Sequence, residues 1–191
     1  STVVFLGFRD NQRQGGIACQ GTGFLFHYDG AGYLVTVRHV AEIIDDHPFV
    51  VRLNKSGKAV LMDFDKVTWF MPQDDTVDLA ITPLELTVGH GYECQYLTDD
   101  AVMMPNRISG RDIDIGDICY TVGLFKNFYG EQRNLPLLFT GNVSLFPPEG
   151  ERIPCWNAQK GRIEKAEAYL IESHAIKGAS GSPVFVRAAY R

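Results

Sequence analysis

The sequence contains no apolar run approaching the roughly 20 residues that a membrane-spanning helix needs. Its first residues, Ser1-Thr2-Val3-Val4-Phe5-Leu6, carry neither a basic start nor a long apolar core, so no signal peptide is visible. An excess of basic charge is also missing. Eighteen Lys and Arg face 23 Asp and Glu, for a net charge of −5. That balance offers no electrostatic footprint for nucleic acid. The longest basic cluster, Lys160, Arg162 and Lys165, is broken by Glu164 and Glu167, and reads as a solvated loop or turn. There is no CxxC pair among the four cysteines, Cys19, Cys94, Cys119 and Cys155, which removes the usual zinc and dithiol patterns. Disulfide pairing stays open from spacing alone. Apolar surroundings such as Ile118-Cys119-Tyr120 favour buried free thiols, and that usage leans towards a reducing, cytoplasmic compartment. His27, His47 and His90 lack ligand spacing and read as surface or turn residues, so no metal or other cofactor is expected. Neither repeats nor low-complexity tracts are present.

What is present suits short strands and tight turns. Glycine is frequent, with 19 residues, and aromatics reach 12%. Thr2 to Phe8 is apolar and β-prone. The 21–26 and 33–37 segments flank Asp29-Gly30, whose chemistry supplies the positive φ of a hairpin turn. Val40 to Ile44 reads as a helical turn after His39. A second hairpin is expected from 49–53 and 59–64 around Asn54-Lys55-Ser56-Gly57-Lys58. Val67 to Met71 precedes the acidic loop Gln73-Asp74-Asp75-Thr76, and Asp78-Leu79-Ala80-Ile81 opens a further strand. Residues 86–115 are irregular and mark a linker between two halves. Gly116 to Gly123, Leu137 to Phe146, Ala168 to Glu172 and Pro183 to Val186 form a second strand series. Trp69 and Trp156 are expected in core or loop packing.

Three local patterns carry possible chemistry. Thr36-Val37-Arg38-His39-Val40 ends an apolar strand, Asp78-Leu79-Ala80-Ile81 follows an acidic loop, and Gly178-Ala179-Ser180-Gly181-Ser182-Pro183 leads into an apolar strand. A serine hydroxyl is a poor nucleophile near neutral pH without an adjacent base. Histidine suits that task because its ordinary pKa lies near working pH. An aspartate beside it fixes the imidazole tautomer and stabilises the imidazolium. Glycines around the serine permit a sharp turn that aims successive N–H groups at one point.

These segments resemble the three signature segments of chymotrypsin-like serine proteases, in the same chain order of His, Asp and Ser. Gly21-Thr22-Gly23-Phe24-Leu25-Phe26 ahead of the histidine, together with the serine segment, is most similar to the bacterial trypsin-like and HtrA-type branch. The resemblance implies an all-β fold of two antiparallel six-stranded β-barrels. The first would span 1–95, a linker 96–115 and the second 116–191. Ser180 would be the nucleophile, His39 the general base, Asp78 the orienting carboxylate, and the N–H groups of Gly178 and Ser180 the oxyanion hole. The substrate partner would be a protein or peptide, hydrolysed through an acyl-enzyme. His174, near the base of the expected specificity pocket, and Lys177, near the oxyanion loop, are candidate substrate contacts. Arg38 replaces the small residue usual before the histidine and is expected to point to solvent. Ser182 stands where a glycine is most common. Few residues follow Pro183, so the second barrel is expected to be incomplete and the chain a fragment. The alternative is a binding or scaffold module of the same fold without catalysis.

Overall fold

The structure, a computed structural model, describes residues 2–86, 90–102, 113–128, 130–157, 160–174 and 177–187. It is built of short antiparallel strands with a single α-helix among the described residues. Strand β1 (Val3–Arg9) is apolar at almost every position because both of its faces are buried. Val4 and Leu6 join Leu25, Leu34, Ile44 and Val51 in one cluster. Val3 and Phe5 point the other way, into a second cluster with Ile17, Val50 and Leu124.

Strands β2 (Ile17–Tyr28) and β3 (Ala31–Thr36) form the expected hairpin, with Asp29 and Gly30 both at positive φ. The next hairpin, β4 (Phe49–Lys55) with β5 (Lys58–Phe64), turns in the same way on Ser56 and Gly57. Between them lies helix α1 (Arg38–Asp45), which buries Val40, Ala41 and Ile44. Strand β6 (Ala80–Pro83) pairs with β3, and the short β7 (Leu97–Thr98) runs parallel to β2. The resulting order is β5-β4-β1-β2-β3-β6, with β7 beside β2. Val67 to Met71 makes no strand of its own. Only Phe70 bridges to Ile81, while Trp69 packs on the first core cluster beside Phe49.

A four-stranded sheet follows, in the order β12-β9-β8-β13. Its strands are β8 (Ile118–Gly123), β9 (Leu137–Leu145), β12 (Leu170–Ser173) and β13 (Val184–Val186). A separate two-stranded ribbon joins β10 (Ile153–Asn157) to β11 (Arg162–Ala166). The expected loop around Lys160, Arg162 and Lys165 is therefore half strand. The turn at Lys160-Gly161 is present, but Arg162 onwards pairs with β10. Cross-strand pairing with Ile153, Cys155 and Trp156 satisfies a backbone that its charged sequence does not advertise. Neither large sheet closes on itself among the described strands. β5 and β6 end the first order, and β12 and β13 end the second. Two closed six-stranded barrels are thus not what the described strands form; they form an open seven-stranded sheet, an open four-stranded sheet and the ribbon.

Long-range polar contacts tie these parts together. Arg52 on β4 is fully buried, and its guanidinium donates to Asn134 Oδ1 and to the Gly130 carbonyl. Asn134 donates in return to the Arg52 carbonyl at 2.7 Å and exchanges two hydrogen bonds with Asn54. Of the expected linker 96–115, residues 103–112 lie outside the described residues. At its start, Tyr96 bonds through its hydroxyl to Leu84 O and Leu86 N, and Leu97–Thr98 pair with β2, so the beginning of the expected linker is docked on the first sheet. All four cysteines are free thiols. Cys19 and Cys119 are buried, and Cys94 and Cys155 half-buried. Among the described residues, no helix is long and apolar enough to cross a membrane. No group of three or more His, Cys, Asp or Glu among them is placed to hold a metal ion.

Candidate active site

The end of β3 delivers His39. The strand stops at Thr36, and Val37 in extended conformation starts α1, so His39 sits in the first helical turn. Asp78 lies two residues before β6, on the loop that β6 brings alongside β3. The two side chains meet directly. Asp78 Oδ2 is 2.8 Å from His39 Nδ1, and Asp78 Oδ1 accepts the His39 backbone N–H at 3.1 Å. A carboxylate only accepts, so Nδ1 carries the proton and Nε2 of the neutral ring keeps its lone pair. The hydrogen bond that His39 donates to Asp78 raises the His39 pKa, with partial burial opposing it. Burial pulls the Asp78 carboxyl up, but the hydrogen bonds from the His39 ring and N–H outweigh it and leave Asp78 below its ordinary value.

Arg38 does not point to solvent. Its guanidinium turns back and donates to the carbonyls of Pro72 and Asp74. It therefore holds the acidic loop whose far end carries Asp78. That loop is braced internally, because Asp74 Oδ1 accepts from both the N–H and the hydroxyl of Thr76.

Ser180 lies on the turn before β13, flanked by Gly178 at φ +101° and Gly181 at φ +87°. Both values are in the region that an L side chain rarely adopts. At Gly181 space is also closed, since a Cβ would lie 2.0 Å from Thr22 O and 2.7 Å from Thr36 Oγ1. The turn is stitched to β2. Thr22 donates its N–H to Ser180 O at 2.8 Å and its hydroxyl to Gly178 O at 2.7 Å. Thr36, three residues before His39, donates its hydroxyl to Thr22 O at 2.8 Å. Thr22 thus links the serine turn to the strand that ends in the histidine. Among the described residues, the N–H groups of Gly178 and Ser180 donate to no other group, and Ser180 Oγ makes no hydrogen bond to His39.

A cleft of about 530 Å³ opens beside His39 and Asp78, and the β10–β11 ribbon forms its opposite wall through Cys155, Trp156 and Ala166. Trp156 is 65% exposed, so it lies at a wall of this cleft and not in a core. Ion pairs hold the ribbon against the acidic loop. Arg152 binds Asp74, and Lys160 binds Asp75 at 2.8 Å. His174 is exposed just after β12 and Lys177 is exposed before the serine turn; neither lines this cleft. Ser182 Oγ is buried against Gly123 with no partner among the described residues.

Thr22, Arg38 and the ribbon were the parts not foreseen from the sequence. A hydroxyl between two glycines on an inward strand was the available sign for Thr22. At Gly21 a Cβ would lie 2.6 Å from Val40 Cγ2 and 3.2 Å from Ser180 O, so that glycine admits helix and serine turn together.

No family model matches the sequence, and neither does any curated protein. Solved structures do match. The Rv3671c protease in an inactive form superposes with a TM-score of 0.53 at 18% identity, covering 96% of this chain and 71% of that one. A structure concerning the coupled folding and binding of the intrinsically disordered Sesbania mosaic virus VPg protein superposes with a TM-score of 0.54 at 14% identity, covering 97% of this chain and 73% of that one. At such identities the likeness shows a fold shared with these proteins, consistent with the mostly-β architecture of a protease-like fold, and nothing finer.

Proposed function

We propose that this protein is a serine endopeptidase in which Ser180, His39 and Asp78 act together. The observation that carries the reading is the His39–Asp78 pair, with its 2.8 Å hydrogen bond, on a frame that Thr22 and Thr36 share with the Ser180 turn. In this reading Ser180 Oγ attacks the carbonyl carbon of a peptide bond while its proton passes to His39 Nε2. The carbonyl π bond opens to an oxyanion, which the N–H groups of Gly178 and Ser180 receive. Collapse breaks the C–N bond, and His39 returns the proton to the leaving amine. Water then attacks the acyl-enzyme, giving up a proton to His39, and Ser180 recovers its own as the acid departs. Catalytic hydrogen bonds are commonly long before substrate binds, so this scheme does not require a Ser180–His39 hydrogen bond in the free protein.

The substrate is a protein or peptide chain, and the cleft between His39 and the ribbon would take one of its side chains. Its size falls within the range of small-ligand pockets. His174 and Lys177 belong to the same proposal as exposed groups flanking the turn. A division into a first unit at 1–95, a linker at 96–115 and a second unit at 116–191 is part of it as well, with open sheets in place of closed barrels and with Leu97–Thr98 of the linker paired to the first sheet. It is supported by the separate strand orders of the two sheets.

The test is labelling with a fluorophosphonate probe, in which Ser180 Oγ bonds to phosphorus, the P–F bond breaks, fluoride leaves and the serine proton passes to His39. Labelling of the wild type that disappears in Ser180→Ala supports the reading. A wild type that does not label, under conditions where a known serine protease does, would overturn it in favour of a non-catalytic module of this fold.

A further inference from the structure

We propose that Thr22 is a positioning residue for the oxyanion turn, acting through its side-chain hydroxyl; the proposal rests on the serine-peptidase reading. Thr22 is fully buried and each of its polar groups has a partner. Its N–H donates to Ser180 O at 2.8 Å, and its carbonyl accepts from Thr36 Oγ1 at 2.8 Å. Its hydroxyl donates to Gly178 O at 2.7 Å and accepts the Leu124 N–H at 3.3 Å.

The backbone half of this set is open to any residue on β2. The hydroxyl half is not. One oxygen joins two segments of the chain that lie 102 and 156 residues away, the end of β8 at Leu124 and the serine turn at Gly178. The Gly178 carbonyl belongs to the peptide that links the two proposed oxyanion donors. The donor peptides themselves are held through Lys177 O, which accepts from the Lys126 N–H at 3.2 Å, and Ala179 O, which accepts from the Ser182 N–H at 2.9 Å. Fixing the Gly178 carbonyl adds the restraint on the peptide plane between them and so limits how the two donors can turn relative to each other. Gly178 has no side chain to restrain it and sits at φ +101°, and the turn's own hydrogen bond, Ser182 N–H to Ala179 O, does not reach its carbonyl, so the restraint on this central peptide comes from a neighbouring strand. Thr22 supplies it from the strand that also anchors Thr36, three residues before His39. A threonine at this place therefore couples the aim of the oxyanion donors to the strand that delivers the base.

Removing the hydroxyl at constant shape separates this role from packing. Thr22→Val keeps the volume and the backbone bonds but leaves Gly178 O without its donor. Misalignment of about 1 Å at a reacting centre typically costs on the order of 100-fold in rate, so fluorophosphonate labelling of Thr22→Val is expected to slow ~10- to 100-fold. Thr22→Ser, which keeps the hydroxyl, restores most of the rate. The pH profile of labelling should keep its midpoint, because the His39–Asp78 pair is untouched. A merely structural role would slow Thr22→Ser as well, or shift the profile.

Thr22→Ala is carried alongside, so that the test does not hang on one variant folding. Equal labelling rates for wild type and the folded hydroxyl-free variant would overturn the proposal. Amide hydrogen exchange keeps the proposal testable if the wild type itself does not label. Faster exchange confined to 177–182 in the hydroxyl-free variants supports the restraint, and unchanged exchange there refutes it. Failure of the peptidase reading and failure of the Thr22 assignment are thus read from different signals.

Discussion

Asp78 grips His39 at two points, Oδ2 on the ring nitrogen Nδ1 at 2.8 Å and Oδ1 on the backbone N–H at 3.1 Å. The carboxylate therefore fixes both the tautomer of the ring and the start of the helix that carries it. A base must be neutral to accept a proton, and the hydrogen bond donated to Asp78 raises the His39 pKa above its ordinary 6.5. The acid limb of a labelling-rate profile should accordingly have its midpoint above 6.5. Asp78→Asn should move that midpoint down and slow labelling by up to about 10⁴-fold, since the amide favours the wrong tautomer. An unmoved midpoint would separate Asp78 from the titration.

The same pair has a consequence for stability. The raised His39 pKa contributes stability that is full below the unfolded value near 6.5 and is lost as pH rises through the folded value. The lowered Asp78 pKa contributes stability present above the ordinary 3.8 and lost as pH falls through the folded value. Urea denaturation of wild type and His39→Ala across pH should therefore differ most between these limits, where the ring is charged and the carboxylate ionised. A difference that keeps growing above the His39 titration would contradict this.

Gly181→Ala addresses the serine turn from its other side. The backbone there is left-handed, and the new Cβ would fall 2.0 Å from Thr22 O. The turn must move away from β2, so labelling should fall on the order of 100-fold, with a stability loss of about 1–3 kcal/mol for the strain. Labelling rate and urea midpoint, taken together, check it.

Arg52→Met removes the buried guanidinium that binds the 130–134 loop to β4. Asn134 Oδ1 and Gly130 O would lose charge-assisted donors inside the protein. The expected loss is about 2–3 kcal/mol, near the upper end for one buried polar group. Chemical denaturation measures it directly, and a change below about 0.5 kcal/mol, the range of ordinary surface substitutions, would remove Arg52 from any role in joining the two sheets.

The ribbon is held on the acidic loop by exposed ion pairs, each worth about 0.2–1 kcal/mol and weakened by salt. Cys155 lines the cleft beneath it. Alkylation of Cys155 should speed up in the Arg152→Ala/Lys160→Ala double variant and in high salt. Burial pushes the Cys19 thiol up to about 12, so Cys19 should stay unlabelled at neutral pH throughout. Mass spectrometry of the alkylated peptides reads both at once, and a Cys155 rate indifferent to salt and to the double variant would show that these pairs do not hold the ribbon.

Local elements are written into short stretches of neighbouring residues. Asp29-Gly30 and Ser56-Gly57 turn where their backbone chemistry demands, and the apolar runs between them become strands because alternation and burial are written into neighbouring residues. The histidine, aspartate and serine segments were legible for the same reason, each being a short pattern on one element. What those elements do to one another follows from contacts between distant parts of the chain. Arg52 is one charged residue in an apolar strand, and it is a loop 82 residues away that buries it. The basic stretch at 160–165 reads as a loop until β10 pairs with it. Thr22 reads as one more strand residue until Gly178, 156 residues on, accepts its hydroxyl. A hydroxyl, a guanidinium or a charged strand carries no local mark of its distant partner. Its role is set by which backbone group the folded chain brings within hydrogen-bond reach.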